Sequence, residues 1–183
     1  GAAMAYDPNA GIVLYGGRAG SDIMGDTWLF DVSGDTWTAD SATSDPRYDH
    51  TLTYFPDLGS LVMLGGQNGS TASSTLYEKA TAYQGGAWVD LEPTSGVLDG
   101  RTASQTVSAS ADGTGVLLVY GGWDRPREED NYGTWLRDTW LCVYAGSELD
   151  CSDVSSADAP PGRKGHVMAA LDGVIYMFGG MTG

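Results

Sequence analysis

The chain has 183 residues and a formal net charge of −15, with 9 Lys and Arg against 24 Asp and Glu. A basic footprint for nucleic acid is therefore absent, and anionic membrane surfaces are disfavoured for the same reason. Hydrophobic residues make up 42 % and Gly contributes 27 positions without a collagen period, which excludes a disordered chain and points to a globular, turn-rich one.

Taken in chain order, Gly1 to Tyr6 already reads as a strand, followed by the apolar run Ile12 to Tyr15, which closes on Gly16-Gly17. A third strand, Asp26 to Asp31, and a short fourth one at Trp37 complete a first unit. Arg47-Tyr48-Asp49-His50 opens the second. Its first strand is expected over Thr51 to Phe55, its second over Leu61 to Leu64 ahead of Gly65-Gly66, its third over Ser74 to Glu78 and its fourth at Trp88, so that a long hairpin joins Tyr77 to Trp88. Arg101 opens the third unit, Val116 to Tyr120 runs into Gly121-Gly122, and Asp138 to Tyr144 forms a third strand. Apolar stretches such as Val116 to Tyr120 are far too short for direct membrane insertion. Arg163-Lys164-Gly165-His166 opens a fourth unit that reaches Gly179-Gly180. The abrupt start and finish are those expected of a piece of a longer protein.

The four glycine pairs that close apolar runs thus begin at positions 16, 65, 121 and 179, in steps of 49, 56 and 58 residues. A period near fifty with short apolar strands indicates a propeller. Short, nearly continuous apolar runs suit strands covered on both faces, as inner strands of stacked blades are. Val13, Val62, Leu118 and Ile175 are expected at equivalent, shielded positions.

These residues resemble the kelch repeat: an arginine start, an apolar run ending in Gly-Gly, an aromatic–acid strand, then a spaced Trp. The first unit matches best, with Gly16-Gly17, Asp26, Trp28 to Asp31 and Trp37 in order. The third lacks the Trp and offers Cys151 in its place. The resemblance implies an all-β, kelch-type β-propeller. About three and a half four-stranded blades are present (units of roughly 1–46, 47–100, 101–162 and an incomplete 163–183), as part of a six- or seven-bladed ring. It also implies a repeat framework of Gly16, Gly17, Arg47, His50, Gly65, Gly66, Arg101, Gly121, Gly122, Arg163, His166, Gly179 and Gly180. Its usual role is a non-catalytic interaction or structural scaffold, binding another protein or the subunits of a larger assembly. The alternative is a fragment of a carbohydrate-active enzyme similar to galactose oxidase or a sialic-acid mutarotase.

Outside the framework, three features bear on function. Cys142 and Cys151 are the only cysteines, and a hairpin turning through Ala145 to Glu148 would pair Val143 with Asp150 and set the two sulfurs on adjacent strands. A disulfide with Cα atoms about 4.4–6.8 Å apart follows. Two free thiols are the alternative, and a metal site lacks further nearby ligands. Asn68-Gly69-Ser70 is a glycosylation sequon, and with the disulfide it favours an extracellular or lumenal location over a cytoplasmic one. The segment after Gly122 is longer than its counterparts and carries Trp123, Arg125, Arg127, Tyr132 and Trp135, residue types enriched where proteins bind partners. No catalytic residue, metal ligand set or cofactor is assigned.

Overall fold

The computed structural model describes residues 1–69, 74–93, 98–111, 113–124 and 133–183, and every regular element among them is a strand. Blade I is an antiparallel meander of β1 (Ala3–Asp7), β2 (Gly11–Ala19), β3 (Asp22–Asp31) and β4 (Thr36–Asp40). Blade II comprises β5 (Tyr48–Phe55), β6 (Ser60–Gln67), β7 (Ala80–Gln84) and β8 (Ala87–Pro93). Blade III comprises β9 (Gln105–Ala111), β10 (Thr114–Trp123), β11 (Trp135–Tyr144) and β12 (Glu148–Asp153). Unit IV contributes β13 (Lys164–Leu171) and β14 (Val174–Met181). Outer strands β8 and β12 touch in parallel, Leu149 opposite Pro93, so blades II and III form one eight-stranded sheet.

The third strand of blade II departs from expectation. It runs over Ala80–Gln84, not Ser74 to Glu78, and Leu76 makes only an isolated bridge to Gln67. The long hairpin is in fact a tight one: Gln84 pairs with Ala87 across Gly85-Gly86, whose φ angles are 59° and 79°. Two successive left-handed residues make the turn that matches strand twist, and glycine takes that conformation without a Cβ clash.

Blade stacking follows from the two-residue period of a strand. Counting back from each glycine pair, the residues one and three before it point to the next blade. Those two and four before it point to the preceding blade. Val13 and Tyr15 of blade I thus pack on Leu61 and Met63 of blade II, together with Leu52 and Tyr83. Val62 and Leu64 of blade II pack on Leu117 and Val119 of blade III, with Cys142 and Cys151 in the same cluster. Trp88 adds a polar link across the first interface: its Nε1 donates to Thr27 Oγ1 at 2.9 Å, and its ring meets Tyr15 at 5.0 Å between centroids.

This phase corrects the burial expected of two residues. Val13 and Val62 are buried, but Leu118 and Ile175 are only half-buried. Leu118 faces unit IV, which covers it with two strands instead of four. Ile175 sits four before its glycine pair and so is not equivalent to the other three. Leu117→Ala is accordingly expected to cost about 2–5 kcal/mol, the range for a large residue truncated in a closed core. Leu118→Ala falls below that range, and urea unfolding of the two variants side by side checks the phase.

Candidate functional site

The repeat residues form the joints between blades. The second glycine of each pair donates its N–H to the carbonyl of the next blade's arginine: Gly17 to Arg47 at 2.9 Å, Gly66 to Arg101 at 2.8 Å and Gly122 to Arg163 at 2.8 Å. A Cβ on the first glycine would lie 2.6 Å from that same carbonyl oxygen at Gly16, Gly65 and Gly121. The guanidinium groups work inside their own blades. Arg47 Nη1 donates to Gly65 O at 3.3 Å, Arg101 Nη1 to Gly121 O at 3.2 Å and Arg163 Nη1 to Gly179 O at 3.0 Å. Each arginine therefore ties to the preceding blade through its backbone and to its own glycine pair through its side chain. Among the described residues Arg101 alone adds a carboxylate, holding Asp138 through two bonds of 2.9 and 2.8 Å.

His50 and His166 lie three residues after their arginines and are buried. Each meets the tyrosine before the preceding glycine pair edge-on, Tyr15–His50 at 5.5 Å and Tyr120–His166 at 5.6 Å. Their ring nitrogens reach no hydrogen-bond partner among the described residues. Burial, then the nearby Arg47 charge, lowers His50 to about 3. Burial and then Arg163 lower His166 to about 4. Both rings are thus neutral packing elements. A base whose folded pKa is depressed binds its proton in the unfolded chain first. Stability is therefore full above about pH 6.5, and it falls with acidification toward pH 4 by about 1.4 kcal/mol per pH unit for each histidine. Urea midpoints measured from pH 7 to 4 check this. The slope between pH 6.5 and 5 flattens in a His50→Gln, His166→Gln double variant.

A further joint carries no sequence mark. Asp49, Ala103 and Gly165, each two after an arginine, adopt left-handed φ of 55°, 54° and 65°. Ala103 N donates to Asp49 O at 2.8 Å and Gly165 N to Ala103 O at 2.9 Å, a staircase along the inner strands. Only Gly165 signals such a backbone in the sequence.

The residues singled out after Gly122 divide. Arg125, Arg127 and Tyr132 lie outside the described residues. Trp123 is buried, stacked edge-on against the half-buried Trp135 at 4.8 Å, and Lys164 Nζ lies 4.2 Å from the Trp123 ring centre. At the first joint the same two positions hold Arg18 over Tyr48, at 5.6 Å. The residue after the glycine pair thus meets the residue after the next arginine, and Trp123 is held in a blade joint. Beside it a cleft of about 130 Å³ opens between Thr102, Lys164 and Met181.

Cys142 and Cys151 are bonded to each other and directly opposed across β11 and β12, with Val143 opposite Asp150. Their Cα separation of 4.0 Å is shorter than expected, the two residues being directly opposed partners of an antiparallel pair. The bridge stands on the face packed against blade II, where a buried Trp would otherwise be anticipated. Asn68 is exposed and its Oδ1 accepts from Thr75 N at 2.7 Å; Ser70 of the sequon lies outside the described residues. Among the described residues no three His, Cys, Asp or Glu side chains converge as metal ligands, and no helix is long and apolar enough to cross a membrane.

Comparison with known proteins agrees with this architecture. The family model for the KLHDC2/KLHL20/DRC7 Kelch-repeats domain matches residues 1–180. Among solved structures, that of YjhT superposes with a TM-score of 0.74 at 12 % identity, over 98 % of this chain and 58 % of the YjhT chain. The chain thus spans a little over half the length of that neighbour, and the likeness is one of fold. The glycine–arginine joints, the four-stranded blades and the match along nearly the whole length place the chain in the kelch-repeat family of β-propellers.

Proposed function

We propose that the chain is a non-catalytic interaction module that holds a protein partner on the blade face formed by the second-to-third-strand loops and the links between blades. The observation that carries this is the segregation of charge. Arg18, Arg137, Arg163 and Lys164 present charge at this end of the blades, where the buried Arg47 and Arg101 also stand, and Lys79 is the one described cation elsewhere. The hairpin turns at the opposite end hold Asp7, Asp31, Asp35, Asp57, Glu148 and Asp172, with no Lys or Arg among the described residues. A face of mixed charge with aromatic residues suits specific docking, because complementary charge selects and orients a partner. A uniformly acidic end keeps other chains away.

Arg127 remains the contact residue of choice, while Trp123, held in its joint, serves as the stability control. Arg127→Ala is expected to weaken partner binding about 5- to 100-fold with the melting point unchanged. Trp123→Ala lowers the melting point. A photo-crosslinking residue placed at position 127, and separately at position 85 on the opposite end, tests the face directly. Capture of one partner from 127 alone supports it, and capture from 85 alone overturns it. The Cys142–Cys151 bond and the exposed Asn68 support an extracellular or lumenal home. Intact mass of protein from its native source, alkylated without reductant, should show neither cysteine modified. Two alkylated cysteines would contradict that location.

A further inference from the structure

We propose that the cleft between blades I and II, at the acidic end of the chain, binds an organic cation: an alkylammonium or a guanidinium group. The site lies at the opposite end from the proposed partner face and does not depend on it.

The mouths of two successive joints differ at one position. Asp57 stands eight before its glycine pair, in the turn from β5 to β6, and its Oδ2 accepts from Gly115 N of blade III at 3.0 Å. That bond spans the II–III mouth. The residue eight before the glycine pair of blade I is Pro8, which has no side-chain acceptor to offer. The I–II mouth stays open as a cleft of about 400 Å³, between Asp7 and Asn9 on one side and Leu58, Tyr83 and Gln84 on the other. Both walls belong to complete four-stranded blades.

Asp7 is the group that calls for a ligand. It shares the strand face of Ala3 and Ala5, which pack in the I–II core, so its carboxylate points to blade II. It is 3 % exposed. Its Oδ1 accepts from Asn9 N at 2.7 Å and Ala10 N at 3.3 Å, and its Oδ2 meets no donor among the described residues. A buried carboxylate is costly unless a positive charge pairs with it, and the cleft has no Lys or Arg in its walls.

The remaining wall suits an organic cation better than a metal ion. Tyr83 gives its hydroxyl proton to Asp40, so its oxygen faces the cleft as an acceptor. Asn9 and Gln84 add amide oxygens. Leu58 and the Tyr83 ring supply apolar surface along which an alkyl stem can lie. A Ca²⁺ ion draws about 6–8 oxygen ligands, and among the described residues no three His, Cys, Asp or Glu side chains converge. The volume also falls in the range of about 300–1,000 Å³ typical of small-molecule sites.

NMR titration of the ¹⁵N-labelled chain with n-butylammonium chloride, at constant ionic strength, tests the proposal. Saturable shifts are expected at the N–H groups of Asn9, Ala10, Gln84 and Gly85. Asp7→Asn keeps an oxygen for the Asn9 and Ala10 donors and removes the charge, and it should weaken binding about 10-fold or more. Asp172→Asn removes the same charge from an exposed turn at the same end and should change affinity by less than about 2-fold. Gln84→Lys, at an exposed hairpin position, supplies the cation from the chain itself and should abolish binding, which keeps the test decisive if Asp7→Asn unfolds. N-acetyl-lysine N-methylamide separates the two sources of the ligand, and either result supports the site: binding as tight as that of butylammonium admits a lysine of another protein, and binding of butylammonium alone points to a small free amine. Shifts that never saturate, equal weakening by Asp7→Asn and Asp172→Asn, full binding in Gln84→Lys, or tighter binding of Ca²⁺ at the same N–H groups would each overturn the proposal.

Discussion

Arg101→Met is expected to lower the unfolding free energy by about 3–5 kcal/mol, the cost of removing one partner from a buried ion pair. The Arg101 side chain is 1 % exposed and grips Asp138 with two charge-assisted bonds. Met fills similar volume, so the loss reports the charge and the hydrogen bonds and not a cavity. Among the described residues Asp138 would keep only the Trp140 Nε1 donor at 2.6 Å, and Gly121 O would lose its guanidinium. Arg101→Lys does not rescue, since an ammonium cannot reproduce the planar fork. Arg163→Met makes the internal comparison, because among the described residues that arginine bonds carbonyls only and should cost less. Denaturant unfolding with linear extrapolation gives the three values. Equal losses at positions 101 and 163 would show that the carboxylate adds nothing.

Gly65→Ala is expected to cost about 2–3 kcal/mol, by two separable terms. The residue has φ of 67°, a conformation that costs an L-residue roughly 1–2 kcal/mol. Its new Cβ would stand 2.6 Å from the Arg101 carbonyl oxygen, which must then move and weaken the bond from Gly66 N, a loss of about 1 kcal/mol. Gly20 separates these terms. Its φ is 62° but a Cβ there meets nothing within 4 Å. Gly20→Ala therefore carries the strain alone, about 1–2 kcal/mol. If both variants lose the same, the close approach of neighbouring blades is not what selects glycine at position 65.

What the sequence disclosed and what it hid follow one division. Features written as residue identities were legible: the glycine pairs, the arginines before each first strand and the Cys142–Cys151 pairing, which depends only on where one hairpin turns. The third strand of blade II lies beyond its expected place because Tyr77 imitates the aromatic position of its counterparts, while the stronger turn signal, Gly85-Gly86, stands eight residues on. An unbroken apolar run conceals which residues share a face, so Leu118 and Leu117 look alike in the sequence and only a count from the glycine pair restores the phase. Asp49 and Ala103 are left-handed without being glycine, so their backbone bonds had no signature. Trp123 looked like a contact residue because exposed and joint-filling tryptophans are indistinguishable until the next blade is in place. Lys164, which covers it, is 41 residues away in the chain.

Native-state amide exchange at Gly17, Gly66 and Gly122 tests the blade joints most directly, since each of these N–H groups is donated across a joint to Arg47, Arg101 or Arg163. All three are expected to exchange only through global unfolding, with a common free energy close to that from denaturant. Gly20, in an exposed turn, should exchange freely. Exchange of any of the three at a rate near that of Gly20 would contradict the stacked arrangement on which the whole account rests.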